Sequence, residues 1–106
     1  MKPKIIAIDL DGTTLNTESQ LSPRTREVLV RATKAGHFVT IATGRPFRMS
    51  DQFYKELALT TPMVNFNGGL VHKPRQVWAN EMEHSISREI AFELMAQKEQ
   101  LGLTFV

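Results

Sequence analysis

Two aspartates, Asp9 and Asp11, stand one residue apart directly after the apolar run Ile5-Ile6-Ala7-Ile8, and Gly12-Thr13-Thr14 follows at once. A β-branched run of this kind is typical of a strand covered on both faces. Side chains two apart on an extended strand point the same way, so if the extension persists to Asp11 the two carboxylates crowd one spot. Two like charges that close cannot both stay ionised at low cost. A cation must sit between them, or one must hold a proton. Fold stability gives no reason for such a pair, but chemistry does. A nucleophilic aspartate can attack phosphorus and form an aspartyl-phosphate. A second acid two residues on can protonate the leaving oxygen and later deprotonate water. A carboxylate pair with oxygen ligands nearby suits a hard cation such as Mg²⁺, which would screen the repulsion between carboxylate and phosphate and hold the attack in line. Gly12 lets the backbone turn tightly beside the phosphate.

The elements that must position these residues follow from the pattern of the chain. Residues 4–9 form a first strand and 12–21 a polar loop. Ser22-Pro23 reads as an N-cap with proline at the first helical position. A helix then runs over 23–35 with Val28, Leu29 and Ala32 inward, closed by Gly36 as a left-handed cap. Residues 38–42 form a second buried strand, broken by Thr43-Gly44-Arg45-Pro46. Pro46 opens a helix reaching about Ala58, with Phe47, Phe53, Tyr54 and Leu57 toward the core. Residues 63–66 form a third strand, its start marked by Pro62. Strand, helix, strand, helix, strand implies two right-handed crossovers and a parallel sheet. After Asn67-Gly68-Gly69 the grammar changes. Residues 70–73 and 76–82 flank Pro74-Arg75 and suggest a hairpin. Ile86, Ile90, Ala91, Leu94, Met95 and Leu101 mark an amphipathic helix closed by Gly102. Residues 103–106 look like the start of a strand with no partner in view, which suggests a cut chain.

Ligands of open parallel sheets bind beyond the carboxyl ends of the strands. Three loops leave those ends, at 9–13, 43–45 and 67–69. They offer a carboxylate pair, a hydroxyl with backbone amides at a helix start, and an amide with two glycines. Free N–H groups at a helix start hold anions, and an anion together with Mg²⁺ suggests phosphate. Competing motifs fail on spacing. An EF-hand loop counted from Asp9 needs glycine where Thr14 stands and glutamate where Gln20 stands. The phosphate loop G-x-x-x-x-G-K-[ST] and the dinucleotide fingerprint G-x-G-x-x-G are absent. There is no cysteine, hence no disulfide and no thiolate metal site. His37, His72 and His84 lack metal-ligand spacing and read as surface or satisfied histidines.

The 106 residues have room for one domain, with 42% hydrophobic and 23% charged residues and a net charge of +2. No Lys/Arg block marks a nucleic-acid footprint. No stretch approaches a membrane span or a signal peptide, so a cytoplasmic protein is the expectation. Oligomeric state leaves no trace in the pattern.

Asp9-Leu10-Asp11-Gly12-Thr13 resembles the first motif of the haloacid dehalogenase (HAD) superfamily of phosphatases. Ala42-Thr43-Gly44-Arg45-Pro46 resembles its second motif in the Cof-type branch. Phe66-Asn67-Gly68-Gly69 resembles the segment that leads into that branch's cap domain. The three occur in the expected order. The resemblance implies a Rossmann-like α/β core with a parallel sheet, an α/β cap inserted after the third strand, and Mg²⁺-dependent hydrolysis of small phosphate esters such as sugar phosphates. It implies Asp9 as nucleophile and metal ligand. Asp11 would be general acid/base and give the metal its carbonyl. The Leu10 amide, Thr43 hydroxyl and Gly44 amide would hold phosphate. Arg45 and Asn67 would lie on the substrate side, and 12–20 would form a small flap. In that frame residues 1–69 belong to the core, 70–83 lead into the cap and 84–106 begin it. The family's lysine motif and Gly-Asp motif do not follow Asn67, so the chain reads as an N-terminal piece expected to hydrolyse phosphate esters poorly alone. A phosphate-binding module without turnover, or a phosphoryl-transferring mutase, are the other readings.

Overall fold

The computed structural model describes residues 2–102. Strand β1 (Ile5–Ile8) pairs in parallel with β2 (Phe38–Ile41), in the register Ile5 to Phe38 and Ile8 to Ile41. A bridge from Ala42 to Val64 continues the parallel arrangement to β3 (Met63–Asn65). Helix α1 (Pro23–Lys34) fills the first crossover and packs on β2. Its start follows the sequence logic. Ser22 Oγ accepts from the Thr25 N–H at 3.2 Å, Pro23 sits at the first helical position, and Gly36 just past the end takes a φ of 98°.

The second crossover is shorter and more broken than the sequence suggests. In place of one helix from Pro46 to Ala58 there is a 3₁₀ turn over Phe47–Met49 and a helix α2 (Asp51–Glu56). Ser50 separates them at φ −124°, and its hydroxyl bonds to the carbonyls of Pro46 and Phe47. Serine side chains that bond back to the preceding turn compete with a continuous helix. Phe53, Tyr54 and Leu57 are buried as expected and join Leu10, Val39, Ile41 and Met63 in the core.

Two expectations for β1 are corrected. The strand is not covered on both faces: Ile5 is 76% exposed, and burial along it alternates between exposed and partial. Among the described residues β1 has a strand on one edge only, and Ile5, Phe38, Thr40, Thr61 and Pro62 line an open apolar depression. Nor does the extension persist to Asp11. Leu10–Thr14 forms a wide turn in which the Leu15 N–H donates to the Leu10 carbonyl at 2.9 Å, with Gly12 at φ 75°. Asp9 and Asp11 are therefore not strand neighbours on one face, and Leu10 between them is driven fully into the core.

Past β3 the chain reverses. Strand β4 (Leu70–His72) runs antiparallel to β3, and β5 (Met82–Glu83) antiparallel to β4. The sequence suggests a hairpin turning at Pro74-Arg75 with a long second arm; the second arm is only two residues, and the connection runs from Lys73 to Glu81. Pro74 is buried, and Arg75 ties this connection to α2 through Asp51 at 2.7 Å. The last helical segment is split at Gln97 into α3 (Arg88–Ala96), capped by Ser87, and α4 (Lys98–Leu101), closed by Gly102 in the left-handed region. Its apolar residues Ile90, Phe92 and Met95 are more than half exposed, so no described element covers that face. The strand expected over residues 103–106 lies outside the described residues.

Candidate active site

Asp9 lies just beyond β1, and Thr43-Gly44 just beyond β2. Together with Ala42, Val64, Asn67 and Gly68 they line one cleft of about 330 Å³ at the carboxyl ends of the three parallel strands. The structure thus brings the three loops singled out in the sequence to one place. Asp9 enters no ion pair among the described residues. Its Oδ2 accepts from the Thr13 hydroxyl at 2.9 Å, which leaves the other oxygen unengaged. Thr43 is buried, and its Oγ1 accepts from the Arg45 N–H at 3.0 Å. The hydroxyl proton of Thr43 therefore remains available to an acceptor in the cleft. The Leu10 and Gly44 N–H groups donate to nothing among the described residues, so both can turn to an anion.

The loop after β2 is held from β3. The Thr43 N–H donates to the Val64 carbonyl at 2.9 Å, the Asn67 N–H to the Thr43 carbonyl at 3.1 Å, and the Phe66 N–H to the Arg45 carbonyl at 3.3 Å. Phe66, Asn67 and Gly68 all take positive φ, at 53°, 54° and 98°. A bulky residue such as Phe66 in that region is strained. This turn brings the Asn67 side chain against Gly44: a Cβ on Gly44 would fall 2.8 Å from Asn67 Oδ1. A side chain at 44 would therefore have to displace the Asn67 amide. The amides at this loop belong to an irregular segment, not to the start of a long helix as the sequence suggested, because α2 begins only at Asp51.

Asp11 points to a different partner. The Arg45 guanidinium grips it with both arms, Nε to Oδ2 and Nη2 to Oδ1, each at 2.7 Å. A third donor, Nη1, goes to the Met49 carbonyl at 2.9 Å, and the guanidinium carbon lies 5.5 Å from the Phe53 ring centre. The paired hydrogen bonds from Arg45 hold the Asp11 carboxyl below the usual carboxylate range, and those from Asp11 hold Arg45 above its own. The turn parts the two carboxylates, and Arg45 supplies a cation to Asp11 and not to Asp9. In this arrangement three of the five Arg45 N–H donors are engaged by Asp11 and Met49.

The sequence reading missed Asn65, Ser50 and Thr13. Asn65 is fully buried and connects the Arg45 carbonyl, Ser50 and His72. The available signal was an asparagine inside an otherwise apolar strand, Met63-Val64-Asn65-Phe66. His72 is a satisfied buried histidine, as expected, with its pKa lowered by burial.

A family model described as haloacid dehalogenase-like hydrolase matches residues 6–106. The chain belongs to the haloacid dehalogenase-like hydrolase family. It is 49% identical over 74 residues to the 5-amino-6-(5-phospho-D-ribitylamino)uracil phosphatase YitU of Bacillus subtilis, covering 70% of this chain and 27% of that protein. It is 44% identical over 68 residues to the pyridoxal phosphate phosphatase YbhA of Escherichia coli, covering 64% of this chain and 25% of that one. A haloacid dehalogenase-like hydrolase from Bacteroides thetaiotaomicron superposes with a TM-score of 0.79 at 27% identity, over 93% of this chain and 38% of that one. The HAD-like α/β fold is thereby shown. The chain spans about a quarter of the length of these two curated relatives.

HAD phosphatases generally use a divalent metal, and the donors here fit a hard cation in part. Asp9 offers a carboxylate oxygen, and the Asp11 carbonyl is a further oxygen donor in the turn that follows. The Asp11 carboxylate is committed to Arg45, and no three His, Cys, Asp or Glu side chains cluster as a metal shell among the described residues. No helix of the described residues is long and apolar enough to cross a membrane.

Proposed function

We propose that the full-length protein carrying this chain is a phosphatase of small phosphate monoesters that works through an aspartyl-phosphate on Asp9. The observation that carries this reading is the unpaired Asp9 carboxylate in one cleft with the Thr43 hydroxyl and the Gly44 amide. The phosphoryl oxygens are held by the Thr43 O–H and by the Leu10 and Gly44 N–H groups, which place phosphorus in front of the free Asp9 oxygen. The Asp9 O–P bond forms as the bond to the leaving oxygen breaks. The leaving oxygen takes a proton from Asp11, and Asp11 takes one back from the water that then attacks phosphorus and frees Asp9. The Arg45-bound Asp11 is ionised, the state from which the second, base step starts, but it takes up a proton only once Arg45 lets go. Donating a proton in the first step requires Arg45 to release it, since a carboxyl held below its usual range is a poor acid.

Mg²⁺ is the proposed cofactor; the Asp9 carboxylate and the Asp11 carbonyl would hold it as a hard cation that takes oxygen ligands. When bound it screens the charge repulsion between Asp9 and the phosphoryl oxygens. The names of YitU and YbhA, each a phosphatase of a small heterocyclic phosphate ester, support a metabolite ester as substrate. A cytoplasmic location is the accompanying proposal. So is the division into a core part over 1–69, a junction over 70–83 and the beginning of an α/β cap from 84; the uncovered apolar residues of α3 favour the last.

A second reading is favoured by one contact, the Asp11–Arg45 pair. If it does not open, the site binds phosphate without turnover. The test is hydrolysis of an aryl phosphate by the full-length protein with and without Mg²⁺, beside an Asp9→Asn variant. Mg²⁺-dependent turnover that vanishes in Asp9→Asn with the fold intact is the expected result. Turnover surviving in Asp9→Asn overturns the assignment, and phosphate binding with no turnover in the parent supports the second reading.

A further inference from the structure

Asn65 has no part in the chemistry above, yet it is fully buried at the root of the phosphate loop. Its Nδ2 donates to the Arg45 carbonyl at 3.0 Å and to Ser50 Oγ at 2.8 Å. Its Oδ1 lies 2.8 Å from His72 Nε2. The directions of these bonds are forced. A carbonyl can only accept, and the Ser50 proton is used on the carbonyls of Pro46 and Phe47, each at 3.1 Å. Both contacts of Nδ2 therefore consume its two protons, and Oδ1 must be met by an N–H of His72. The imidazole carries its proton on Nε2 and packs edge-on against Phe47, with ring centres 5.1 Å apart. No buried side-chain polar atom among the described residues lacks a partner.

The neighbours of Asn65 serve the same loop through their backbones. Val64 holds the Thr43 N–H, Phe66 the Arg45 carbonyl and Asn67 the Thr43 carbonyl. The Phe66 bond is long at 3.3 Å, so the Asn65 amide supplies the shorter of the two bonds that fix the Arg45 carbonyl. Fixing that carbonyl fixes the peptide plane after Arg45 and the approach to Ser50. With the bonds at Thr43, it sets the backbone from which the Gly44 N–H and the Thr43 hydroxyl meet a phosphoryl group.

We propose that Asn65, oriented by His72, is a positioning residue that sets the Thr43–Arg45 loop for binding the phosphoryl group of a monoester. The proposal rests on the phosphatase reading for its ligand, but the loop it fixes can be observed without turnover. The full-length protein is compared with Asn65→Ala, His72→Leu and His72→Gln. Gln at 72 can present an amide N–H where Nε2–H stood. The measurements are backbone amide hydrogen exchange over residues 43–46, competitive inhibition by inorganic phosphate, and the separate effects on KM and kcat, all well below each variant's melting temperature. Losing one well-placed hydrogen bond is expected to speed exchange and weaken phosphate about tenfold in Asn65→Ala. KM should rise more than kcat falls. His72→Leu follows in the same direction, and His72→Gln stays within about threefold of the parent. Phosphate affinity and exchange unchanged in folded Asn65→Ala overturn the proposal, as does a His72→Gln variant as damaged as His72→Leu. If Asn65→Ala does not fold, the pair at 72 decides. Failure of the phosphatase reading shows separately, as an Asp9→Asn variant that still turns over, while exchange over 43–46 continues to report on Asn65.

Discussion

Gly44→Ala tests the geometry of the cleft at one methyl group. Gly44 does not occupy the left-handed region, so alanine meets no backbone strain there. What it meets is Asn67: the new Cβ would lie 2.8 Å from Oδ1, 3.3 Å from Nδ2 and 3.4 Å from Cγ. Ordinary contact begins near 3.4 Å, so the Asn67 amide must withdraw by about 0.6 Å. Asn67 is exposed and its side chain can swing, which puts the stability cost at the low end of overpacking, about 1 kcal/mol, or a fall of roughly 2–4 °C in melting temperature for a protein of the relatives' size. The cost to function is larger. The methyl stands beside the Gly44 amide and displaces a cleft-lining side chain, and losing one preorganised donor to a phosphoryl oxygen costs on the order of 100-fold in turnover. The assay is thermal unfolding beside kcat/KM and inhibition by inorganic phosphate in the full-length protein. Asn67→Gly suits φ 54° and removes the clashing atoms, so the double variant should recover about 1 kcal/mol of stability as a coupling term, while phosphate affinity stays low. A Gly44→Ala protein with parental melting temperature and phosphate affinity would refute the reasoning.

Leu10→Ala removes a fully buried side chain between the two aspartates and should cost about 2–5 kcal/mol in urea unfolding; a loss well below 1 kcal/mol would mean that Leu10 does not anchor the turn. Burial holds the His72 pKa below its ordinary 6.5. The folded protein then binds fewer protons than the unfolded chain, so the stability contributed by neutral His72 is present above 6.5 and drains away as pH falls through the lowered native value. His72→Gln should flatten that acid-side slope in melting curves taken across the range, and an unchanged slope would show that other groups set it. Arg45→Lys replaces a fork of two bonds by a point charge; the Asp11 carboxyl, followed by NMR titration, should rise toward its ordinary value of 3.8, and a stationary titration would place the cause of its depression elsewhere.

Much of the site was legible because its parts are local. A strand followed by Asp9-Leu10-Asp11-Gly12-Thr13, and another followed by Thr43-Gly44-Arg45, states where backbone amides and carboxylates must emerge, and the parallel pairing of β1 and β2 brings them together. The helix caps at Ser22, Gly36 and Gly102 were readable for the same reason. What was not legible depends on contacts distant in sequence. The pairing of β4 with β3 needs the left-handed run at Phe66 and Asn67, which an Asn-Gly dipeptide only hints at. The burial of Asn65 depends on Ser50, and on His72 arriving from the next strand to meet its amide. β1 reads as a doubly covered strand because its residues are suited to that place, while the described elements leave one of its edges unpaired.

The two carboxylates that open the sequence show how an environment assigns roles to identical groups. Read as extended, their spacing called for a cation between them or a proton on one, and the pattern could not say which. The wide turn at Leu10 resolves it by parting them, with Leu10 itself inside the core. Arg45 reaches Asp11 because the loop after β2 ends beside that turn. A third N–H goes to the Met49 carbonyl, so none of these three bonds goes to Asp9. Among the described residues the Asp9 carboxylate keeps only the Thr13 hydroxyl. A carboxylate with one oxygen bare in an anion-binding cleft is suited to attack, and one clamped by a guanidinium is suited to accept a proton only after it has shed its partner. Opening of the Asp11–Arg45 pair is therefore the step on which turnover, as distinct from binding, depends. A kcat that rises in Arg45→Lys while phosphate affinity holds would identify that opening as rate-limiting, and a kcat that falls with affinity intact would give Arg45 a role in the transition state instead.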